Sequence, residues 1–357
     1  MNKRVRIRSA WGMAALIAAI GFSGCTQAQN SQTEQSQDST TTPQTTTDLP
    51  QVVATSTVLC DLTEQMAQET IALTCLLQPN QDPHIYEPTP SDRKAIEEAD
   101  LILYGGYNYE PSLDKIIDAT SIAAPKVAVF ESAVPNPILG EDHDHEHEGE
   151  VAAADTDHDP EGDAVTDEQE PDPHIWHNAE NGIQIVEVIR DNLEQVSPTN
   201  AEVYQQNAEA LTTELTQIND WIKTQVVTVP EGDRQLVTTH DAFQYYAQAY
   251  SFTVKGALGG LSTEEKPSAA RLTELVDLVK DAGVPVIFAE ATTDPKVIQT
   301  VARDANVTVA EQPLYVEGPG GEGTPAPTYQ TMLVINTCTV VNALGGQCEA
   351  ASAPVRE

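Results

Sequence analysis

Basic residues are scarce in this chain. Only 18 Lys and Arg stand against 55 Asp and Glu among 357 residues, a formal net charge of −37. That balance excludes nucleic-acid binding through backbone phosphates, which needs clustered positive charge. It raises the local concentration of cations instead. Membrane-spanning runs are missing too: the N-terminal apolar stretch, Trp11 to Phe22, is too short to cross a bilayer. Neither a His-Glu-x-x-His helix nor a Gly-x-Ser-x-Gly elbow occurs, which removes two common routes to hydrolysis. Cysteine is sparse, with five residues in all.

What is there begins with an export signal. Lys3, Arg4, Arg6 and Arg8 precede the apolar stretch, and Phe22-Ser-Gly-Cys25 follows it. Small residues before a cysteine resemble the bacterial lipobox, so residues 1–25 read as a signal peptide with Cys25 as the lipidation site. The mature protein is then expected in the periplasm or otherwise outside the cytoplasm, anchored to the membrane through Cys25. Residues 26–48, rich in Gln, Ser and Thr, read as a flexible tether.

A second segment poor in apolar residues spans 141–170. It carries His143, His145 and His147 on alternate positions among carboxylates. With so little to bury and so much like charge it is expected to be a disordered loop. Imidazoles beside carboxylates also suit a borderline cation such as zinc, which makes these three histidines an auxiliary low-affinity metal site.

About three hundred residues remain, enough for two units of ordinary size. Continuous apolar runs predict buried parallel strands at Val52–Val58, Ile71–Leu77, Leu101–Tyr104 and Val127–Phe130, then at Leu236–Thr239, Phe252–Ala257, Val284–Ala289 and Val307–Leu314. Helices are expected between them, including Ser91–Ala99 capped by Ser91 and Ser268–Asp281 ending before Gly283. The fold class is therefore α/β: two βα lobes, each with a four-stranded, mostly parallel sheet. Residues 49–177 form the first lobe and 231–350 the second. Between them, 178–230 read as linking helices, one to about Gln195 and a long one from about Thr199 to Val226. In the latter, Leu211, Leu215, Ile218 and Ile222 make one apolar stripe, so the bridge is rigid. Four cysteines besides Cys25 allow three pairings. Proximity within a lobe favours Cys60–Cys75 and Cys338–Cys348, with free buried thiols the competing reading of the first pair.

Three further histidines occupy informative places. His84 follows the second strand, His240 follows the first strand of the second lobe, and His174 precedes the linking helices. Open α/β sheets bind ligands outside the carboxyl ends of their strands, so His84 and His240 should face a crevice between the lobes. Asp-Pro-His-Ile-aromatic occurs twice, at Asp82–Tyr86 and Asp172–Trp176. Three imidazoles and one further donor make a tetrahedral zinc shell. His177 is expected to face solvent at a helix start, and Trp176 and Tyr86 to wall the site.

Asp82-Pro-His-Ile-Tyr-Glu-Pro88, Asp172-Pro-His-Ile-Trp176, Thr238-Thr-His-Asp-Ala-Phe243 and Ser262-Thr-Glu-Glu-Lys-Pro-Ser268 together resemble the motifs of metal-specific solute-binding proteins of bacterial ABC importers, the zinc-uptake branch above all. The resemblance covers residues 51 to 346. It implies two βα lobes bridged by a long helix, a metal site in the cleft, and His84, His174 and His240 as ligands of Zn²⁺. It also implies a non-enzymatic monomer that delivers zinc to an inner-membrane ABC permease. Manganese members typically carry Glu at the position of His240, and a His-rich acidic insertion is a habit of the zinc branch. Many members supply a fourth ligand, an Asp whose counterpart here is Pro327. That position is left to water, Glu290 or Glu322. Alternatives are the same fold binding manganese or iron, and a secreted zinc enzyme with an open fourth position.

Overall fold

Val52, Val53 and Ala54 are buried, as are Leu101, Ile102 and Leu103, and these two triplets form the centre of a parallel sheet. The computed structural model describes residues 49–140, 169–264 and 268–356. The first lobe runs β1 (Gln51–Ala54), α1 (Thr57–Ala67), β2 (Ala72–Cys75), α2 (Pro90–Glu97), β3 (Leu101–Tyr104), α3 (Pro111–Ala119), β4 (Lys126–Ala128) and α4 (Val129–Ala133). Its sheet has the order β2-β1-β3-β4, all parallel. Two helices follow, α5 (Ala179–Val196) and α6 (Ala201–Val226), separated by a 3₁₀ turn at Pro198–Asn200. The second lobe runs β5 (Gln235–Thr238), α7 (Gln244–Tyr250), β6 (Thr253–Ala257), α8 (Ala269–Ala282), β7 (Val286–Ile287), α9 (Lys296–Ala305), β8 (Thr308–Val309) and α10 (Tyr329–Ala343). Here the four strands make two parallel ladders, β5–β6 and β7–β8, joined where Phe288 N donates to Val237 O at 2.9 Å. No helix among the described residues is long and apolar enough to cross a membrane.

Local chemistry trims several expected elements. The run Val52–Val58 stays a strand only to Ala54, because Ser56 caps α1 by accepting from Leu59 N. Helix α2 starts at Pro90 under a Thr89–Asp92 capping box, so Thr89 and not Ser91 is its cap. The run Val127–Phe130 divides into β4 and the short α4. Helix α8 is capped by Ser268 and ends on left-handed Gly283, as expected.

Helices α5 and α6 fold back on each other, since Lys223 near the end of α6 meets Glu180 near the start of α5 at 3.0 Å. That exposed pair contributes less than about 1 kcal/mol. The grip comes from the apolar stripe: Leu211, Leu215, Ile218 and Ile222 are all buried. Near its start α6 holds the first lobe, where Asn207 Nδ2 donates to Met66 O at 2.8 Å, and its end leads into β5. One apolar cluster runs through both lobes, from Val52 and Leu59 through Ile218 to Phe243, Leu314 and Tyr329. Disulfides join Cys60 to Cys75 and Cys338 to Cys348, with Cα separations of 5.6 and 5.0 Å. Each closes a short loop and stabilises the fold by roughly 3 kcal/mol in the chain-entropy account.

Candidate metal centre

The carboxyl ends of both sets of strands meet at one point between the lobes. His84 lies in the loop after β2, and His240 directly after β5. Glu317 lies in the segment after β8, and His174 ends the connection that leads into α5. The two Asp-Pro-His turns are built alike. Asp82 Oδ1 accepts from His84 N at 3.0 Å, and Asp172 Oδ1 accepts from His174 N at 2.9 Å. They then diverge. Asp172 Oδ1 also meets His174 Nδ1 at 2.8 Å, whereas Asp82 Oδ2 takes the hydroxyl of Thr263 from the second lobe. Glu290 grips His240 twice, accepting from its backbone N at 2.9 Å and meeting Nδ1 at 2.8 Å.

With Nδ1 of His174 and His240 engaged, each ring turns its Nε2 inward. His240 Nε2 stands 3.2 Å from His174 Nε2 and 3.3 Å from Glu317 Oε1, and His84 Nε2 stands 3.8 Å from that same oxygen. One ligand atom from each of His84, His174, His240 and Glu317 falls within 4.8 Å of the others, and all four residues are buried. His84 Nε2 and Glu317 Oε1 are buried with no hydrogen-bond partner among the described residues. Buried polar atoms left so cost about 1–3 kcal/mol each, and a cation between them removes that cost. A tetrahedron with zinc-ligand arms of ~2.05 Å has edges of ~3.3 Å, the spacing of His240 to His174 and to Glu317.

The electrostatics are those of a water-poor site. Burial, then the charge of His240, lowers His84 to about 3. Burial likewise holds His174 well below its ordinary value, with His240, His84 and His177 adding to it. Burial opposes charge on His240 too, but the charge and hydrogen bond of Glu290, then Glu317 and Asp82, raise it to about 10. Glu317 is pushed up to about 8, mainly by burial, against the pull of His240. Aromatic rings close the site. Tyr109 packs edge-on to His84 at 5.4 Å and lies 4.8 Å from Trp176, itself 5.3 Å from His174.

The three histidines expected at the site are thus brought together. Glu290 stands behind His240 as its orienting partner, outside the four-atom cluster. Glu322 and Pro327 are exposed. Glu317 was not foreseen, because it lies in the irregular segment between β8 and α10 and carries no motif of its own. His177 does not face solvent: it is 1 % exposed, stacked on Phe243 at 4.4 Å, because the 3₁₀ turn Ile175–His177 turns it inward before α5 begins. Trp176 walls the site, but Tyr86 bonds Asp92 of α2 through its hydroxyl and packs on the first lobe's outer cluster. Tyr109 takes the place expected of it. Cys25, His143, His145 and His147 lie outside the described residues.

Residues 52–343 match the family described as zinc-uptake complex component A, periplasmic. The manganese-binding lipoprotein MntA of Halalkalibacterium halodurans is 31% identical over 82% of this chain and 88% of that protein. The manganese ABC transporter substrate-binding lipoprotein PsaA of Streptococcus pneumoniae is 28% identical, again over 82% of this chain and 88% of that one. In three dimensions the chain is similar to the periplasmic zinc binding protein TroA of Treponema pallidum, with a TM-score of 0.72 and 27% identity over 83% of this chain and 99% of that one. A buried three-histidine, one-carboxylate cluster between two βα lobes, set in a match of this length, leads to one conclusion: the chain belongs to the periplasmic zinc-uptake component A family, the extracytoplasmic metal-binding components of ABC importers, which are binding proteins and not enzymes.

Proposed function

We propose that this protein captures Zn²⁺ outside the cytoplasm, with His84, His174, His240 and Glu317 as the ligands, and delivers it to an ABC permease. The observation that carries the reading is the donor set: three imidazole nitrogens and a single carboxylate oxygen, buried and drawn together. Nitrogen-rich, four-donor sites favour zinc, whereas manganese favours oxygen-rich octahedral ones. Manganese has its own support, because MntA and PsaA are named for it. The histidine at 240 weighs against it.

Residues 1–25 serve as a cleaved signal with lipidation at Cys25, residues 26–48 as the tether, and the His-rich run as a weak accessory site. The lobes extend over 49–177 and 231–350, joined by 178–230. Competition titration of metal-stripped protein tests the metal. One tightly bound Zn²⁺ that Mn²⁺ displaces only in large excess supports the reading. Equal or tighter binding of Mn²⁺ would replace it with manganese uptake.

A further inference from the structure

Glu317 has two carboxylate oxygens, and they have different neighbours. Oε1 faces the imidazoles, 3.3 Å from His240 Nε2 and 3.8 Å from His84 Nε2. Oε2 faces the hydroxyl of Tyr109 at 3.1 Å, and the same hydroxyl lies 3.2 Å from the backbone oxygen of Glu317. Tyr109 is fully buried, and its ring is wedged among His84, Phe130 and Trp176. Its loop is held in an uncommon shape. Gly106, Tyr107 and Asn108 all have positive φ, and Glu131 Oε1 accepts from Tyr107 N at 2.7 Å. Such backbone persists only where the surroundings over-determine it. The phenol is therefore presented to Glu317 by a rigid support. Glu317 itself belongs to a glycine-rich segment, and its backbone oxygen also accepts from the Thr57 hydroxyl at 3.2 Å.

We propose that Tyr109 is a positioning residue that holds Glu317 as a one-oxygen ligand and so makes the site selective for a four-coordinate cation. The inference rests on the reading of Glu317 as a metal ligand. A carboxylate with one oxygen bound by a phenol hydrogen offers the metal the other. The protein then supplies three nitrogens and one oxygen, which completes a tetrahedral zinc shell. Released from Tyr109, Glu317 can turn both oxygens to the metal and supply a fifth donor. Extra oxygen donors are what manganese needs, so the tyrosine hydroxyl acts against the wrong metal more than for the right one.

Tyr109→Phe keeps the ring and removes the hydroxyl. With Co²⁺ as the probe, the unaltered protein should give the intense visible absorption of a four-coordinate ion. Tyr109→Phe should give the weaker spectrum of a five-coordinate one. Its preference for Zn²⁺ over Mn²⁺ should narrow about tenfold or more, the scale of lost support around a metal ligand. Glu317→Gln supplies the control, because a primary amide has one carbonyl oxygen. In that background, adding Tyr109→Phe should leave the Co²⁺ spectrum four-coordinate. Should Tyr109→Phe fail to fold, the Co²⁺ spectrum of the unaltered protein still tests the idea, since five-coordinate absorption with Tyr109 and Glu317 both intact would contradict it. Unchanged Co²⁺ absorption and an unchanged metal preference in Tyr109→Phe, with Glu317→Gln weakening Zn²⁺, would overturn the role of Tyr109 alone. Undiminished Zn²⁺ affinity in Glu317→Gln would overturn the ligand assignment beneath it.

Discussion

Glu317 turns three converging imidazoles into a closed donor set, and Glu290 fixes one of those imidazoles. Glu290 takes both the backbone and ring N–H of His240, so its carboxylate sets which nitrogen faces the cavity. Glu290→Gln can accept only one of these bonds well. Zinc affinity should fall 10–100-fold by chelator competition with the fold intact, the usual effect of losing a ligand's partner. Undiminished affinity would mean that packing alone orients the ring. The histidines were legible in the sequence because Asp-Pro-His occurs twice and His240 follows a strand. Glu317 was not, because it is one of 55 acidic residues with no local signature. Its role depends on tertiary contacts, a loop of the second lobe reaching Thr57 and Tyr109 of the first.

At the scale of elements, apolar runs located every strand among the described residues but overstated most of their lengths. Hydrophobicity marks what is buried, and a buried run continues past the last ladder bond. The run Val284–Ala289 contains a strand of only two residues, yet Val284, Ile287, Phe288 and Ala289 are all buried. Helix limits were read best where a cap enforces them, as with the Ser268 hydroxyl and left-handed Gly283 around α8. The reading failed at α2, where only Ser91 was considered as the cap. Thr89 won over Ser91 because Pro90 suits the first helical position and Asp92 returns a bond to the cap. The inward turn of His177 was hidden for a related reason: a 3₁₀ turn before the helix rotates it away from the face a regular helix would give it.

For the whole molecule, a continuous core through both lobes and a 26-residue α6 oppose wide hinge closure. Proton balance is the bulk signature. His84 and His174 are already neutral near pH 7. His240, raised to about 10, and Glu317, raised to about 8, hold protons that a cation must displace. Affinity should therefore rise with pH well beyond ~6.5, the ordinary histidine value. Calorimetry in two buffers of different ionisation heat should find roughly one to two protons released per zinc at pH 7. Zero release would contradict this proton count.

The most direct measurement is zinc-edge anomalous diffraction from crystals of the zinc-loaded protein. A single strong peak should lie between His84, His174, His240 and Glu317, with three nitrogens and one oxygen at about 2.0–2.2 Å. A principal peak elsewhere, or a shell in which Glu317 contributes nothing, would contradict the site described here.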